Sequence, residues 1–172
     1  MIDKKMEEAL NGQINAEFYS AYMYLSMAAY FEARELPGFA HWMRAQAQEE
    51  EFHAMKLFAY LVERGGRVIL KALEAPPTEW KSPLHVFEDT LAHERKVTGL
   101  INDLVFLARD LRDNATEIFL QWFVSEQVEE EDNVQKILGP LKLIKESPQA
   151  LYMLDKEMFQ RVFTPPPADG GA

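Results

Sequence analysis

Two short motifs in the chain place potential metal ligands one helical turn apart. The first is Glu50-Glu51-Phe52-His53, and Gln127-Val128-Glu129-Glu130 follows 77 positions later with a similar spacing of polar groups. A lone glutamate stands 33 residues before each motif, Glu17 before the first and Glu94 before the second. Residues three apart share a helix face, so each motif can direct two donor groups at one point. Two such halves that face each other would form a site for two metal ions.

Six polar side chains, four from these motifs and the two lone glutamates, interrupt rows of largely apolar residues. The residues of each row are spaced seven apart in the sequence. On the first helix, for example, Glu17 lies between Leu10 and Tyr24. Rows of this kind face the core of a helical bundle. The spacing therefore predicts that all six side chains point into the core: Glu17, Glu50, His53, Glu94, Gln127 and Glu130.

Burying four glutamates is costly unless something neutralises them, because an unpaired carboxylate in a core costs several kcal/mol. No Lys or Arg interrupts the apolar rows. Taken singly, a Glu-x-x-His pair is more often a solvated helix face, and a core glutamate is more often a hydrogen-bonded structural group. The joint pattern on four helices favours two divalent cations instead. His41, His85 and His93 lie off the rows and are not predicted to be ligands.

The donor types indicate which metal would bind. Mostly carboxylate ligands with one imidazole suit Fe, Mn or Zn better than Cu. Glu50 and Glu130 have positions from which they could bridge two ions, and an oxygen-rich site stabilises Fe(III) over Fe(II), which makes oxidation by O2 favourable. Tyr24 lies in the row of Glu17. It is either a hydrogen-bonding or redox-active neighbour of the metals or a plain core residue.

A second acidic layer flanks the first. Glu49, Glu126 and Glu129 each stand one residue from a primary candidate. On facing helices the three could meet near Glu130 as a third cation site. A solvated acidic face explains the same spacing equally well, although the local negative charge attracts cations in either case.

Composition limits the classes of function. The chain has 172 residues, 48% hydrophobic and 27% charged, which is ordinary for one globular domain. Its formal net charge of −10 argues against a nucleic-acid partner and suits attraction of cations. The absence of cysteine excludes thiolate chemistry. Without a signal-like segment or an apolar stretch of about 18 residues, no membrane association is expected, and the cytoplasm is the expected location.

Prolines, glycines and capping residues divide the chain into helical segments. Ser82-Pro83 and Ser147-Pro148 are typical helix starts. The 18 residues of 65–82 are long enough to run the length of a bundle, with Val68-Ile69-Leu70 as a short extended piece. The prediction is an all-α four-helix bundle with one long crossover, a short fifth C-terminal helix and a disordered Pro/Gly-rich tail at 164–172. The predicted helices cover roughly 3–35, 38–64 and 83–111, then a fourth that follows the turn-like stretch 110–114 and ends at about 145, and a fifth at 148–162.

Over residues 1–163 this layout resembles the ferritin family, in particular the haem-free bacterial and archaeal ferritins, whose di-iron domain has this ligand pattern. The resemblance implies that Glu17, Glu50 and His53 hold a first iron. It implies that Glu50, Glu94 and Glu130 hold a second, with Gln127 able to contact O2 or water and Tyr24 beside the centre. It also implies a third iron site formed by Glu49, Glu126, Glu129 and Glu130.

Two departures define the subgroup. Bacterioferritins have a second Glu-x-x-His pair and a haem-ligating Met, where this chain has Gln127-x-x-Glu130 and Glu51, so no haem is expected. The implied function is iron storage and detoxification: a ferroxidase oxidises Fe(II) with O2 or H2O2 inside a hollow homo-oligomeric shell, usually a 24-mer. Asp113 and Glu117 are weak candidates for lining a pore. The alternatives are a di-iron oxidase or oxygenase that acts on an organic substrate and a purely structural bundle.

Overall fold

The fold of the chain is built from α-helices. The computed structural model describes residues 2–145 and 147–165, and these contain no strand. The prediction of an all-α bundle with a short fifth helix is therefore confirmed. The helices are α1 (Lys4–Glu32), α2 (Pro37–Glu63), α3 (Pro83–Asp110), α4 (Asn114–Ile144) and α5 (Pro148–Met158).

Local signals in the sequence account for where the helices begin. The side chain of Asp3 accepts a hydrogen bond from Lys5 N and caps α1. Ser82 and Ser147 cap α3 and α5 in the same way, each followed by a proline in the first turn. Asp113 caps α4 by accepting from Thr116 N. These caps satisfy backbone N–H groups that have no partner inside the helix.

The four long helices form two antiparallel hairpins. α1 packs against α2 and α3 against α4, and α1 also contacts α3. The turns are short, at 33–36 and 111–113. Glu35 and Arg112 adopt positive φ angles of 59° and 54° at the ends of α1 and α3, which helps the chain reverse within a few residues. The predicted hairpins are present.

The crossover at 64–82 has no regular secondary structure and lies along α1. The Asn11 side chain holds one part of it: Nδ2 donates to Arg67 O over 3.0 Å, and Ile69 N donates to Oδ1 over 2.6 Å. Near the other end of α1, Tyr30 OH donates to Trp80 O over 3.0 Å. The crossover therefore runs along the bundle as predicted. The pairing predicted at 68–70 is wrong for the described chain, since these residues form no strand and Ile69 N bonds the Asn11 side chain instead of a strand partner.

Two apolar clusters fill the bundle, one toward each end. One contains large side chains of all four long helices, including Phe31, Phe39 and Phe87. The other contains Leu10, Leu57 and further residues of the same four helices. On each of the four long helices, the predicted metal ligands lie between the residues that belong to one cluster and the residues that belong to the other. The polar layer is therefore enclosed above and below by apolar packing, which limits its contact with water.

The fifth helix docks on the start of α2. Asp155 is buried, and its Oδ1 accepts hydrogen bonds from Gly38 N over 2.8 Å and from Phe39 N over 3.0 Å. No side chain of α2 itself caps that helix.

Beyond α5, Thr164 and Pro165 have no regular structure, and the rest of the predicted 164–172 tail lies outside the described residues. Among the described helices, none has the length and apolar character needed to cross a membrane.

Candidate metal centre

The five acidic and imidazole candidates of the primary layer lie in the middle of the bundle and are almost fully buried. None is more than 2% exposed, and Gln127 is 5% exposed. α1 and α3 contribute one glutamate each, while α2 and α4 contribute the two i, i+3 motifs. Because the helix period places residues three apart on one face, both members of each motif reach the interior.

The structure brings these side chains into two overlapping groups. Glu17, Glu50 and His53 offer ligand atoms that all lie within 4.8 Å of one another, and so do Glu50, Glu94 and Glu130. Glu50 belongs to both groups. Two cations bound to these groups would therefore share Glu50.

Neutral amide side chains hold several of these carboxylates in place. Gln13 Nε2 donates to Glu17 Oε1 over 2.8 Å. Gln46 Nε2 donates to Glu50 Oε1 over 3.0 Å and to Glu130 Oε2 over 2.6 Å, and so connects α2 to α4. These bonds orient the oxygens without neutralising their charge, which is the role of residues that surround a metal site.

Gln127 and Tyr24 orient Glu94 from two sides. Gln127 Nε2 lies 3.3 Å from Glu94 Oε2 and 3.2 Å from Glu94 O. Tyr24 is fully buried, and its hydroxyl donates to Glu94 Oε1. The Tyr24 hydroxyl thus makes a specific bond to a candidate ligand. Of the open interpretations, that of a hydrogen-bonding neighbour of the site agrees with this contact.

The carboxylates are held close together in a setting that disfavours their charge. Burial, with the nearby Glu50 as a further cause, raises the pKa of Glu17 to about 8. Burial and Glu94 raise the pKa of Glu130 to about 8 as well. Burial also raises the pKa of Glu50 and Glu94 well above their usual range. Without a cation, the cluster therefore retains protons at neutral pH.

The hydrogen bonding of the Glu17 carboxylate also indicates that this cluster is suited to a cation. Glu17 Oε2 is buried and has no hydrogen-bond partner among residues 2–145 and 147–165. A buried acceptor left unpaired is costly, so such atoms normally have a partner. A cation bound beside Glu50 and His53 would supply that partner. The donor set of four carboxylates and one imidazole fits Fe, Mn or Zn.

Of the second acidic layer, Glu49 lies in a close group of potential metal ligands among the described residues, but Glu126 and Glu129 do not. Glu49, with His53 and Glu130, forms a third group of ligand atoms within 4.8 Å. Glu126 and Glu129 line a pocket of about 360 Å³ together with Glu49 and His53. In the described part of the chain, neither Glu126 nor Glu129 belongs to a group of three such close ligand atoms. Glu49, Glu126 and Glu129 thus line one pocket, whereas Glu130 does not line it and is close to Glu49 only in the group with His53.

Three residues around the centre were not singled out from the sequence. Gln13 and Gln46 each precede a ligand by four residues on the same helix face, and Gln46 interrupts an apolar row, so their positions carried a usable signal. Arg161 follows α5, yet its Nη2 lies 2.6 Å from Gln46 Oε1 and 2.5 Å from Glu49 Oε2. Helix periodicity gives no indication of this contact, because it depends on how α5 docks.

The remaining polar residues considered from the sequence have structural partners. His41 contacts Arg161 O, His85 contacts Ser82 Oγ, and His93 contacts Ser20 Oγ. None of the three belongs to the metal-ligand groups found among the described residues. Of the two weak candidates for a pore, Asp113 pairs with Arg64 over 3.1 Å and Glu117 pairs with Arg109 over 2.7 Å, and their role in a pore stays a prediction.

Fold and site together define a four-helix-bundle protein whose core contains a buried cluster of carboxylates and one imidazole that could hold metal ions. The sequence model of the Ferritin family, described as a ferritin-like domain, matches residues 7–144. The chain belongs to this family.

Individual relatives are similar over almost the whole chain. A bacterial non-heme ferritin of Bacteroides fragilis is 42% identical over 161 residues, covering 94% of this chain and 100% of the relative. One from Staphylococcus epidermidis is 41% identical and covers 95% and 98%. A structure of Archaeoglobus fulgidus ferritin, engineered into a closed form, is 56% identical with a TM-score of 0.94, covering 95% of this chain and 100% of that one. The open-pore ferritin of the same archaeon is 56% identical with a TM-score of 0.93, covering 94% and 99%.

Proposed function

We propose that this chain stores iron by oxidising Fe(II) at the buried centre and keeping the Fe(III) product as a mineral inside a shell of identical subunits. The observation that carries the proposal is the enclosed cluster of four glutamates and one histidine. Such a cluster is costly to bury without cations, because its carboxylates either stay charged and repel one another or must retain protons. Family membership supports iron as the metal.

Each ligand has a distinct role in the proposal. Glu17 and His53 hold one Fe(II), Glu94 and Glu130 hold the other, and Glu50 is shared. The bonds from Gln13, Gln46, Gln127 and Tyr24 keep the carboxylates in place as iron arrives and leaves. A site arranged before binding loses less free energy to ordering its side chains.

The chemistry follows from holding two Fe(II) ions side by side. Together they release two electrons, which with two protons reduce O2 to H2O2, or reduce H2O2 to two molecules of water. The four carboxylates stabilise the Fe(III) products, since hard oxygen donors favour the higher charge. Protons held by the glutamates before binding are released as Fe(II) takes their place.

The acidic pocket beside the centre extends this proposal. Glu49, Glu126 and Glu129 would hold a third iron on its way to or from the centre. The shell would be a closed homo-oligomer, as in the ferritin family. The net charge of −10 would favour accumulation of cations at its surfaces.

The alternative, an oxidase or oxygenase for an organic substrate, needs an apolar pocket at the metals. The pocket that reaches His53 is lined by the apolar residues Phe52, Trp122, Val162 and Phe163, but also by three carboxylates and a guanidinium, those of Glu49, Glu126, Glu129 and Arg161. This lining suits a cation better than an apolar organic molecule. The pocket therefore favours iron as the substrate.

Aerobic loading with Fe(II), followed by measurement of size and iron content, tests the proposal. The expected assembly of 24 subunits of 19.9 kDa has a mass of about 480 kDa and retains many iron ions for each subunit. Glu50→Ala should abolish rapid oxidation, because Glu50 serves both ions. Glu51→Ala is the matched control, since Glu51 is the adjacent residue and is exposed. A stable monomer, or normal oxidation by Glu50→Ala, would contradict the proposal.

A further inference from the structure

Arg161 is a cation from outside the bundle that reaches the edge of the metal centre. Its Nη2 donates to Glu49 Oε2 over 2.5 Å and to Gln46 Oε1 over 2.6 Å. Its guanidinium lies over the Trp42 ring, 4.5 Å from the ring centroid. Only 15% of the Arg161 side chain is exposed. The segment after α5 is thus fixed to α2 by a buried positive charge.

The contact with Glu49 uses a carboxylate that faces the acidic pocket. One carboxylate oxygen of Glu49 belongs to the ligand group with His53 and Glu130, and Arg161 lines the same pocket as Glu126 and Glu129. The guanidinium therefore lies in the pocket and pairs with one of its three carboxylates, Glu49. A metal ion and Arg161 would both need Glu49, and two cations so close repel each other.

We propose that Arg161 is a displaceable internal cation that competes with metal for Glu49 and so lowers the affinity of the third site. The Arg161 guanidinium neutralises Glu49 when the pocket contains no metal. An arriving cation must take over Glu49 and release Arg161. The inference rests on the proposed function only in treating this pocket as a third cation site.

The hydrogen bonding of Arg161 suits it to being displaced. Its Nε is buried and finds no acceptor within residues 2–145 and 147–165. A guanidinium has five N–H donors, so a buried one with an unpaired donor is held less firmly than one in a complete set of bonds. Release of Arg161 would bring that N–H into contact with water. This would recover part of the free energy lost by burying the donor without a hydrogen-bond partner.

The same side chain connects the pocket to the shared carboxylates. Arginine has no acceptor, so the atom of Gln46 that it contacts must be the amide oxygen, and the amide nitrogen then faces Glu50 and Glu130. Arg161 therefore fixes the orientation of Gln46. When metal displaces Arg161, the Gln46 amide loses this constraint, so filling of the pocket is coupled to the paired site.

Binding of Tb³⁺ to the metal-free protein tests the competition. Tb³⁺ prefers oxygen ligands, and a nearby indole sensitises its emission; Trp122 lines this pocket. We expect Arg161→Gln to bind Tb³⁺ at this pocket roughly tenfold more tightly than the wild type, a size typical of coupled binding sites. Arg161→Lys keeps the charge and should show a smaller gain.

Arg44→Gln is the matched control for net charge. Arg44 lies on α2 near Gln46, but it is 44% exposed and pairs with Glu32 instead of the pocket. Its loss should leave the sensitised emission titration unchanged. An affinity of Arg161→Gln within twofold of both wild type and Arg44→Gln would overturn the inference.

A second measurement uses the unaltered chain and so avoids any effect of substitution on folding. Phenylglyoxal modifies accessible arginines, and mass spectrometry identifies the modified residue. We expect Arg161 to be protected in the metal-free protein and to become reactive when Tb³⁺ fills the pocket. Unchanged protection at saturating Tb³⁺ would contradict the proposal. Neither test involves iron oxidation, so a chain that binds Tb³⁺ as expected but fails to oxidise Fe(II) would disprove the proposed function alone.

Discussion

The amide nitrogen of Gln46 on α2 lies 2.6 Å from Glu130 Oε2 on α4, across the middle of the bundle. The two helices belong to different hairpins, so this bond joins the two halves of the metal centre. The same nitrogen donates to Glu50. A single neutral side chain therefore orients Glu50, which both main ligand groups share, and Glu130, which belongs to one of them.

Gln46→Met should impair the centre without unfolding the bundle. Methionine has a similar length and suits a fully buried position, but it donates no hydrogen bond. Glu50 and Glu130 would lose their shared donor, and we expect Fe(II) oxidation to slow by roughly 10- to 100-fold. Stopped-flow absorbance measures the rate. Gln48→Met is the control, because Gln48 is exposed on the same helix. Equal rates for the two variants would show that Gln46 only fills space.

Metal binding should depend on pH because the glutamates of the centre hold protons. The pKa of Glu17 and that of Glu130 are each raised to about 8. Below that pH a divalent cation must displace protons, so we expect Zn²⁺ affinity to rise with pH and to level off above about pH 8. Calorimetry in buffers of different ionisation enthalpy measures the protons released. Release that is absent near neutral pH would contradict these pKa shifts.

The same shifts set the pH dependence of stability in the metal-free protein. A glutamate whose pKa is raised by folding binds more protons in the folded chain, so its stabilising contribution is present at low pH and is lost as pH rises toward 8. Each such group changes the free energy of unfolding by at most about 1.4 kcal/mol per pH unit. We expect urea midpoints to fall between about pH 6 and 8, and the slope to be smaller in Glu17→Gln. A midpoint that rises over this range would contradict the assignment.

Much of the bundle follows from local sequence signals. Ser82-Pro83 and Ser147-Pro148 begin helices because their capping geometry depends only on neighbouring residues. The ligand layer was predictable for a related reason: a polar residue that recurs at the same place in four apolar rows has to face the core. The structure places those side chains together, as expected from their spacing.

What the sequence did not reveal depends on contacts between distant segments. Asn11 holds the crossover from 56 and 58 residues away, so the region at 68–70 looked like a strand when only its own residues were considered. Arg161 lies 112 residues from Glu49. No periodicity connects such positions, because their contact is fixed only once α5 has docked on α2.

Tyr24→Phe separates the roles that remained open for this tyrosine. The substitution keeps the aromatic ring in the core and removes the hydroxyl that donates to Glu94. We expect nearly normal Fe(II) binding and roughly tenfold slower oxidation, because loss of an outer hydrogen bond disturbs a metal ligand. Tyr30→Phe is the control, since the Tyr30 hydroxyl bonds Trp80 O outside the centre. Oxidation of Tyr24→Phe at the wild-type rate would show that Tyr24 is a core residue only.

The docking of α5 on α2 depends on the absence of a side chain at Gly38. A Cβ added there would lie 1.7 Å from Asp155 O, a backbone atom that can move only if α5 shifts. Gly38→Ala should therefore lower the free energy of unfolding by about 3 kcal/mol and expose α5 to limited proteolysis. Gly12→Ala is the matched control, because nothing lies within 4 Å of its added Cβ. Alanine favours a helix over glycine, so this control should gain about 0.5–1 kcal/mol. If Gly38→Ala were as stable as Gly12→Ala in urea, α5 would not be held against α2 as described, and the position of Arg161 beside Glu49 would lose its support.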